Sequence, residues 1–182
     1  MDKVRTIDEI KLVPDTIGEA GIEKDLRIEP GTMMELFADK DIEVTEPFDL
    51  HYEVARHHEN IHVSVDIKGN LSTTCSRCMS AMEYPVDLHL ESDYMPAPPE
   101  MSDHLEAERL SEETGYFRKE IKLGEYIISE LVLSLPFIYI CTDSCKGLCP
   151  HCGANLNDGP CACTHSADPG FQVLLQLKKN SK

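Results

Sequence analysis

Tryptophan is absent from this sequence, and aromatic residues make up only 6% of its 182 residues. No run of about 18 apolar residues occurs, so the sequence predicts no helix that crosses a membrane. The longest apolar run, residues 131–140, is interrupted by Ser134 and Pro136. The first 15 residues contain no apolar core of a secretory signal peptide. We therefore expect the chain to stay in a reducing compartment.

Sequence motifs of common enzyme classes are also missing. There is no glycine-rich phosphate loop, no G-x-S-x-G nucleophile turn and no H-E-x-x-H metal pair. His51-Tyr-Glu53 followed by Cys149-x-x-Cys152 superficially matches a zinc deaminase. However, His51 and Glu53 lie in a strand-like alternation rather than at the start of a helix. We therefore expect that the protein is not an enzyme.

Basic residues are few, since 17 Lys and Arg accompany 33 Asp and Glu and give a formal net charge of −16. Such a surface repels bare nucleic acid, because affinity for phosphates comes mainly from Lys and Arg. The acids are concentrated in residues 91–114, where eight carboxylates accompany a single base, Arg109. This charge favours a basic protein partner over direct contact with RNA, although it also serves solubility.

Cysteine is abundant, with eight residues in two groups. One pair, Cys75-Ser-Arg-Cys78, lies in the middle of the chain. Six more fall within 23 residues near its end: Cys141, Cys145, Cys149, Cys152, Cys161 and Cys163. A Cys-x-x-Cys turn aims two sulfurs at one point, at the spacing needed to bind a metal at roughly 2.3 Å. Eight thiols in this arrangement predict two tetrahedral zinc sites.

Other roles for the thiols fit the sequence less well. Disulfides require an oxidising compartment. A redox Cys-x-x-Cys normally lies where a strand runs into a helix, whereas the residues on both sides of Cys75 and Cys78 look like strands. Iron–sulfur clusters also use four thiolates, but neither the bacterial nor the plant-type ferredoxin spacing is present. A single iron bound by four cysteines, as in rubredoxin, remains an alternative to zinc.

The eight cysteines divide most simply into two quartets. Cys149-Pro-His-Cys152-Gly is typical of a zinc knuckle, and Cys161-Ala-Cys163 follows nine residues beyond Cys152. The remaining thiols, Cys75, Cys78, Cys141 and Cys145, form the other predicted site. Alternative pairings exist, such as Cys145 with Cys149 and Cys152, and His151 or His165 could replace a thiol. Four thiolates leave no open coordination position, which is characteristic of structural zinc.

Alternating apolar and polar residues from Ile42 onward predict antiparallel strands. The alternation is clearest in residues 48–54, 61–68 and 84–90. Gly69-Asn70 predicts a two-residue hairpin turn between the second of these runs and residues 71–74. A further strand is expected at the start of the chain, around residues 6–13.

One main helix is expected to pack on this sheet. Leu123, Ile127, Leu131 and Leu135 recur at the helical period, and Pro136 ends the pattern. The predicted organisation has four parts. Residues 1–94 form a mainly antiparallel β region, and residues 95–118 form an acidic Pro-containing loop with a short helix near residues 105–110. Residues 119–140 form the helix and its connection, and residues 141–182 form the zinc-binding segment. The fold class is α+β, a barrel-like antiparallel meander with a zinc-ribbon-like segment.

Two sequence blocks carry more information than the cysteine spacing alone. The first block is Cys75-Ser-Arg-Cys78-Met with Tyr84-Pro85-Val86. The second runs from Leu133-Ser-Leu-Pro136 through Cys141-x3-Cys145-Lys-Gly-Leu-Cys149-Pro-x-Cys152-Gly-x-Asn155-Leu-Asn157 to Cys161-x-Cys163 and Asp168-Pro169. The two blocks resemble the YceD-like family, bacterial and plastid proteins described as large-subunit ribosomal RNA accumulation proteins. That family often has Asp-Pro-Arg at the last position, whereas this chain has Gly170.

The resemblance implies a non-enzymatic role in 23S rRNA accumulation and ribosome biogenesis in the bacterial cytoplasm. Together with the acidic charge, it predicts binding to a basic ribosomal protein or to an assembly or rRNA-processing factor, with indirect or weak contact to rRNA. A direct RNA-binding zinc ribbon that uses Lys146, Lys178, Lys179 and Lys182 is the alternative. A thiol redox protein is a further one.

Overall fold

The computed structural model describes residues 2–4, 7, 10–37, 41–98 and 114–163. Within these residues the chain divides into two compact units. The first comprises described residues of 1–75 and 80–139, and the second comprises the turn Ser76–Met79 and residues 140–163. The first unit contains a seven-stranded mixed sheet and two α-helices, which confirms the predicted α+β class. No described helix is long and apolar enough to cross a membrane.

The strands of the sheet are β1 (Asp2–Val4), β2 (Ile22–Ile28), β3 (Ile42–Glu43), β4 (Phe48–His57), β5 (Asn60–Thr74), β6 (Ala81–Pro96) and β7 (Thr114–Phe117). Their order is β1-β2-β4-β5-β6-β7, and β3 pairs with β5 beside this path. The expected antiparallel meander is confirmed for β4, β5 and β6. The outermost strands differ, since β1 runs parallel to β2 and β7 runs parallel to β6.

The apolar positions of the central strands all point to one face of the sheet, as their period of two requires. On β5, for example, Ile61, Val63 and Val65 are fully buried, whereas His62 and Ser64 are partly exposed. Phe37, from the end of helix α1 (Pro30–Leu36), lies in the same core. The core therefore occupies one side of the sheet, and the other side carries polar side chains.

The hairpin predicted at Gly69-Asn70 is wrong. Strand β5 continues through both residues, and Gly69 pairs with Val86 on β6. A Cβ atom at residue 69 would lie 2.6 Å from the ring of Phe48, so the glycine makes room for an aromatic side chain. The actual turn between β4 and β5 is His58-Glu59, with His58 in the left-handed region at φ 61°.

The predicted helix is present as α2 (Leu123–Ser134) and ends just before Pro136. Its apolar stripe of Leu123, Ile127 and Leu131 is buried in the core. The ring of Tyr126 packs edge-to-face on Tyr94 of β6, with centroids 6.4 Å apart. These contacts anchor α2 on the apolar face of the sheet.

Two other expectations about the first unit need correction. The strand expected around residues 6–13 is not formed by its described members, residues 7 and 10–13, apart from a single bridge between Leu12 and Ile121. A 3-10 turn follows at Pro14–Thr16. Of the acidic loop predicted over residues 95–118, Met95 and Pro96 belong to β6, and Thr114–Phe117 form β7.

One edge of β6 pairs with β5, and the backbone groups of its other edge form hydrogen bonds with residues 114–117 of β7. The short helix expected near residues 105–110 lies outside the described residues.

Candidate metal centres

The first sulfur cluster is built on the turn between β5 and β6. Cys75 directly follows β5, and its backbone N–H donates to the carbonyl oxygen of Ser80 at 2.8 Å. Met79 adopts a left-handed conformation at φ 59°, which reverses the chain after Cys78. The sulfurs of Cys75, Cys78, Cys141 and Cys145 all lie within 4.8 Å of one another.

The second cluster lies in the second unit, after residue 147. The N–H of Cys149 donates to the carbonyl of Ala154 at 2.8 Å, and the N–H of Gly153 donates back to the carbonyl of Cys149 at 2.9 Å. Gly153 has a left-handed φ of 71°, which this tight turn requires. The sulfurs of the quartet lie within 4.8 Å of one another: Cys149, Cys152, Cys161 and Cys163.

The spacing of these sulfurs fits a tetrahedral metal. A zinc ion bound at roughly 2.3 Å to four sulfurs places neighbouring sulfurs about 3.8 Å apart. The Sγ atoms of Cys78 and Cys141 are 3.7 Å apart, and those of Cys149 and Cys161 are 3.5 Å apart. The structure thus brings together the same two quartets that the sequence predicts, and both could hold a metal ion.

Protonation equilibria in the second cluster also fit a cation. Backbone N–H groups of Cys152 and His151 directed at the Cys149 sulfur lower the pKa of that thiol to about 6. The neighbouring Cys152 sulfur and burial raise the pKa of the Cys163 thiol to about 12. Like charges this close cannot all ionise. A divalent cation would remove the conflict, and its binding would release protons.

The two clusters differ in exposure. Cys75, Cys78 and Cys145 of the first cluster are buried, and Cys141 is half-buried. In the second cluster only Cys149 is buried, whereas Cys152 is exposed. Each cluster of the described residues consists of four sulfurs, and the ring of His151 belongs to neither cluster. His165 lies outside the described residues.

Two residues that support the clusters are not predicted by the cysteine spacing. The carbonyl of Arg77, inside the first Cys-x-x-Cys, accepts from the N–H of Leu148 at 3.0 Å, and its guanidinium donates to the carbonyl of Cys145 at 3.4 Å. Asn157, named above only as part of the second sequence block, donates from Nδ2 to the Sγ of Cys145 at 3.4 Å. This hydrogen bond is the largest cause of the lowered pKa of Cys145. Of the two residues, only Arg77 lies inside a Cys-x-x-Cys motif, where its position in the sequence could have indicated a role at the cluster.

A third group of potential ligand atoms lies on the polar face of the sheet. The ring of His51 contacts Asp25 through Nδ1 at 2.9 Å and Glu53 through Nε2 at 3.3 Å, and Glu23 lies nearby. His51 and Glu53 resemble part of a zinc deaminase motif only superficially, since both residues lie within strand β4 rather than at a helix start. Exposed acidic groups of this kind are common without a metal.

A sequence model of the family described as "Large ribosomal RNA subunit accumulation protein YceD" matches residues 63–178. The chain belongs to this family. The matched range contains both cysteine quartets.

Two curated relatives illustrate the similarity. An uncharacterized protein of Mycobacterium tuberculosis is 29% identical over 132 residues, which cover 71% of this chain and 61% of the relative. The chain therefore spans less than two thirds of that relative's length. The chloroplastic "Large ribosomal RNA subunit accumulation protein YCED homolog 1" of Arabidopsis thaliana is 37% identical over 62 residues, 34% of this chain and 19% of the relative. No solved structure matches the chain significantly.

Proposed function

We propose that this protein is a zinc-stabilised, non-enzymatic factor that supports accumulation of the large-subunit ribosomal RNA, and thereby ribosome biogenesis, in the bacterial cytoplasm. Family membership carries the proposal, since the family is described by its effect on that RNA. The two sulfur quartets within the matched range supply its structural basis. One zinc ion would bind to Cys75, Cys78, Cys141 and Cys145, and the other to Cys149, Cys152, Cys161 and Cys163.

The proposed zinc ions have a structural role. Four thiolates fill the tetrahedral shell and leave no position for water or substrate. The segment from residue 141 to residue 163 has few apolar side chains to form a core of its own. Metal binding energy therefore becomes folding energy in the second unit.

The polar face of the sheet supports a basic partner. Strand register in β2, β4, β5 and β6 places nine outward carboxylates there against two cations, Arg27 and Lys68. Lys68 is itself paired with Asp87 at 3.5 Å. The carboxylates are Glu23, Asp25, Asp49, Glu53, Asp66, Glu83, Asp87, Glu91 and Asp93. A basic ribosomal protein, or an assembly or processing factor with a basic surface, complements this face, and contact with rRNA would then be indirect.

A depletion experiment tests the cellular role. Loss of the protein should lower the ratio of 23S to 16S rRNA, and expression of the wild-type chain should restore it. A variant with all eight cysteines replaced by serine should fail to restore the ratio. An unchanged ratio after depletion, in cells matched for growth rate, would contradict the proposed role.

The mode of binding is tested separately with nuclease and salt. A tagged chain should retain large-subunit proteins or assembly factors after complete RNA digestion of the lysate. If digestion removes every partner, and if purified RNA binds with an affinity that falls steeply with salt, direct RNA binding replaces the adaptor mechanism.

A further inference from the structure

Asn157 lies in the loop between two ligands of the second cluster, Cys152 and Cys161, yet its side chain contacts the first cluster. Its Nδ2 donates to the Sγ of Cys145 at 3.4 Å, and its Oδ1 accepts from the backbone N–H of Lys146 at 2.8 Å. One amide side chain thus holds both a ligand sulfur of the first cluster and the backbone that follows it.

The orientation of this amide is fixed by its neighbours. The second Nδ2 hydrogen of Asn157 is donated to the Oδ1 of Asn155 at 2.9 Å, and that oxygen also accepts from the backbone N–H of Asn157 at 3.0 Å. A flipped amide would set oxygen against both Cys145 Sγ and Asn155 Oδ1, and a donor against the N–H of Lys146. Only the observed orientation satisfies all of these groups.

The loop that carries Asn157 is held close to residues 147–149. Leu148 and Asn155 form a bridge, and the N–H of Leu156 donates to the carbonyl of Gly147 at 2.9 Å. The course of the loop is set at its ends by Cys152 and Cys161, both members of the second quartet. A metal that binds these two residues therefore restricts the positions that Asn157 can reach.

We propose that Asn157 is a positioning residue that couples the two metal centres. Metal in the second centre orders the loop between Cys152 and Cys161, the loop holds Asn157 against Cys145, and metal exchange at the first centre becomes slower. This inference rests on the metal-binding part of the proposed function. Two independent quartets would exchange their metal ions independently, whereas this inference makes metal exchange at one centre depend on occupancy of the other.

The size of the effect follows from hydrogen bonding to metal ligands. Groups that orient a ligand typically change metal affinity 10- to 100-fold when they are removed. Coupling in binding free energy is reciprocal, so occupancy of the first centre also favours occupancy of the second. An aspartate at residue 157 keeps the shape of the side chain but sets a carboxylate oxygen against the ligand sulfur.

Isotope exchange tests the proposal with both centres kept full. The zinc-loaded full-length chain is mixed with excess ⁶⁷Zn²⁺, and native mass spectrometry follows the exchange of each ion. Cys78→Ser, which leaves only the second centre intact, identifies the phase that belongs to the first centre. In Asn157→Asp that phase should become about 10-fold faster or more. Asn157→Ala should accelerate it as well, which separates the lost hydrogen bond from the added charge.

A matched control introduces the same charge elsewhere. Asn70→Asp changes an exposed asparagine on β5 and should leave both exchange phases at the wild-type rate. In the cobalt-substituted protein, Asn157→Asp should also shift the thiolate-to-cobalt charge-transfer band of the first centre to longer wavelength. If Asn157 only stabilised the loop, without a hydrogen bond to the Cys145 sulfur, the wavelength of that band would not change.

A double-mutant cycle tests the coupling itself. Cys163→Ser empties the second centre and should accelerate exchange at the first centre by about the same factor as Asn157→Asp. The two changes together should add little to either one alone. An unchanged rate in Cys163→Ser, or full additivity, would overturn the coupling. If wild-type protein binds two zinc ions and Asn157→Asp exchanges at the wild-type rate, this inference fails alone; if it binds none, the metal proposal fails.

Discussion

The ring of Phe48 occupies the space in which a side chain at Gly69 would begin. A Cβ atom at residue 69 would lie 2.6 Å from ring carbons of Phe48, well inside contact distance. Phe48 is itself fully buried in the core. The glycine therefore permits β5 to pass over an aromatic side chain of β4 without a break in the sheet.

Gly69→Ala should consequently destabilise the first unit. Overpacking of this kind costs roughly 1–3 kcal/mol in the free energy of unfolding. Gly18→Ala is the matched control, because nothing lies within 4 Å of a Cβ at residue 18. Urea unfolding followed by circular dichroism measures both. Combining Gly69→Ala with Phe48→Leu should recover part of the loss, and equal stability of the two alanine variants would contradict this packing.

Histidines on the polar face predict a pH dependence of stability. The hydrogen bond that the His51 ring donates to Asp25 is the main cause that raises the pKa of His51 above 6.5, and the one that His89 donates to Asp66 does the same for His89. A raised pKa in the folded state gives stabilisation that is fully present below pH 6.5 and is lost as the pH rises through the raised values.

Replacing both histidines with glutamine should therefore lower the free energy of unfolding more at pH 6 than at pH 8. NMR titration of the ring protons checks the cause directly, since Asp25→Asn should lower the pKa of His51. His57→Gln, at the end of β4, serves as the control. A loss of stability that is the same at both pH values would show that these ion pairs do not contribute.

Gly147 and Gly153 make a matched pair in the second unit. Both have left-handed φ angles, 74° and 71°, which cost about 1–2 kcal/mol for a residue with a Cβ. At residue 147 a Cβ would also lie 3.1 Å from the carbonyl oxygen of Arg77, whereas nothing is within 4 Å at residue 153.

Gly147→Ala should therefore destabilise the metal-loaded second unit more than Gly153→Ala does. Resistance to limited proteolysis of the cysteine-rich segment measures the difference. If the two variants resist proteolysis equally, the carbonyl oxygen of Arg77 does not lie close to residue 147 in solution.

Exposure predicts the order in which a chelator removes metal. Cys152 is exposed, whereas three of the four ligands in the first quartet are buried. The second centre should therefore empty first. Alkylation of the half-depleted protein, followed by peptide mapping, should label Cys149, Cys152, Cys161 and Cys163 and leave the first quartet protected. Labelling of Cys75 and Cys78 at this stage would contradict the order.

The sequence predicts those features that depend on local pattern. Helix α2 follows from the spacing of Leu123, Ile127 and Leu131 and from Pro136, because a helix in contact with a core needs one apolar stripe. The quartets follow from the spacing of the thiols, because each Cys-x-x-Cys turn aims two sulfurs at one point and needs a second close pair to complete a metal site. The meander follows from the alternation of apolar residues in residues 48–90.

Features that depend on distant neighbours could not be predicted in this way. Gly69-Asn70 has the composition of a hairpin turn, and only the position of Phe48 on β4 shows why a glycine is needed in mid-strand. The parallel pairing of β7 depends on the edge of β6 and not on the four residues of β7 themselves. Asparagine is common in turns, and the role of Asn157 depends on the hydrogen bond that its side chain donates to the Sγ of Cys145.

Native mass spectrometry of the freshly purified, reduced protein tests the central claim most directly. Two zinc ions should bind to each chain, and Cys75→Ser or Cys149→Ser should each lower the count to one. A wild-type chain that is folded and fully reduced but carries no zinc would contradict the account. Two zinc ions retained in either serine variant would contradict the assignment of the ligands.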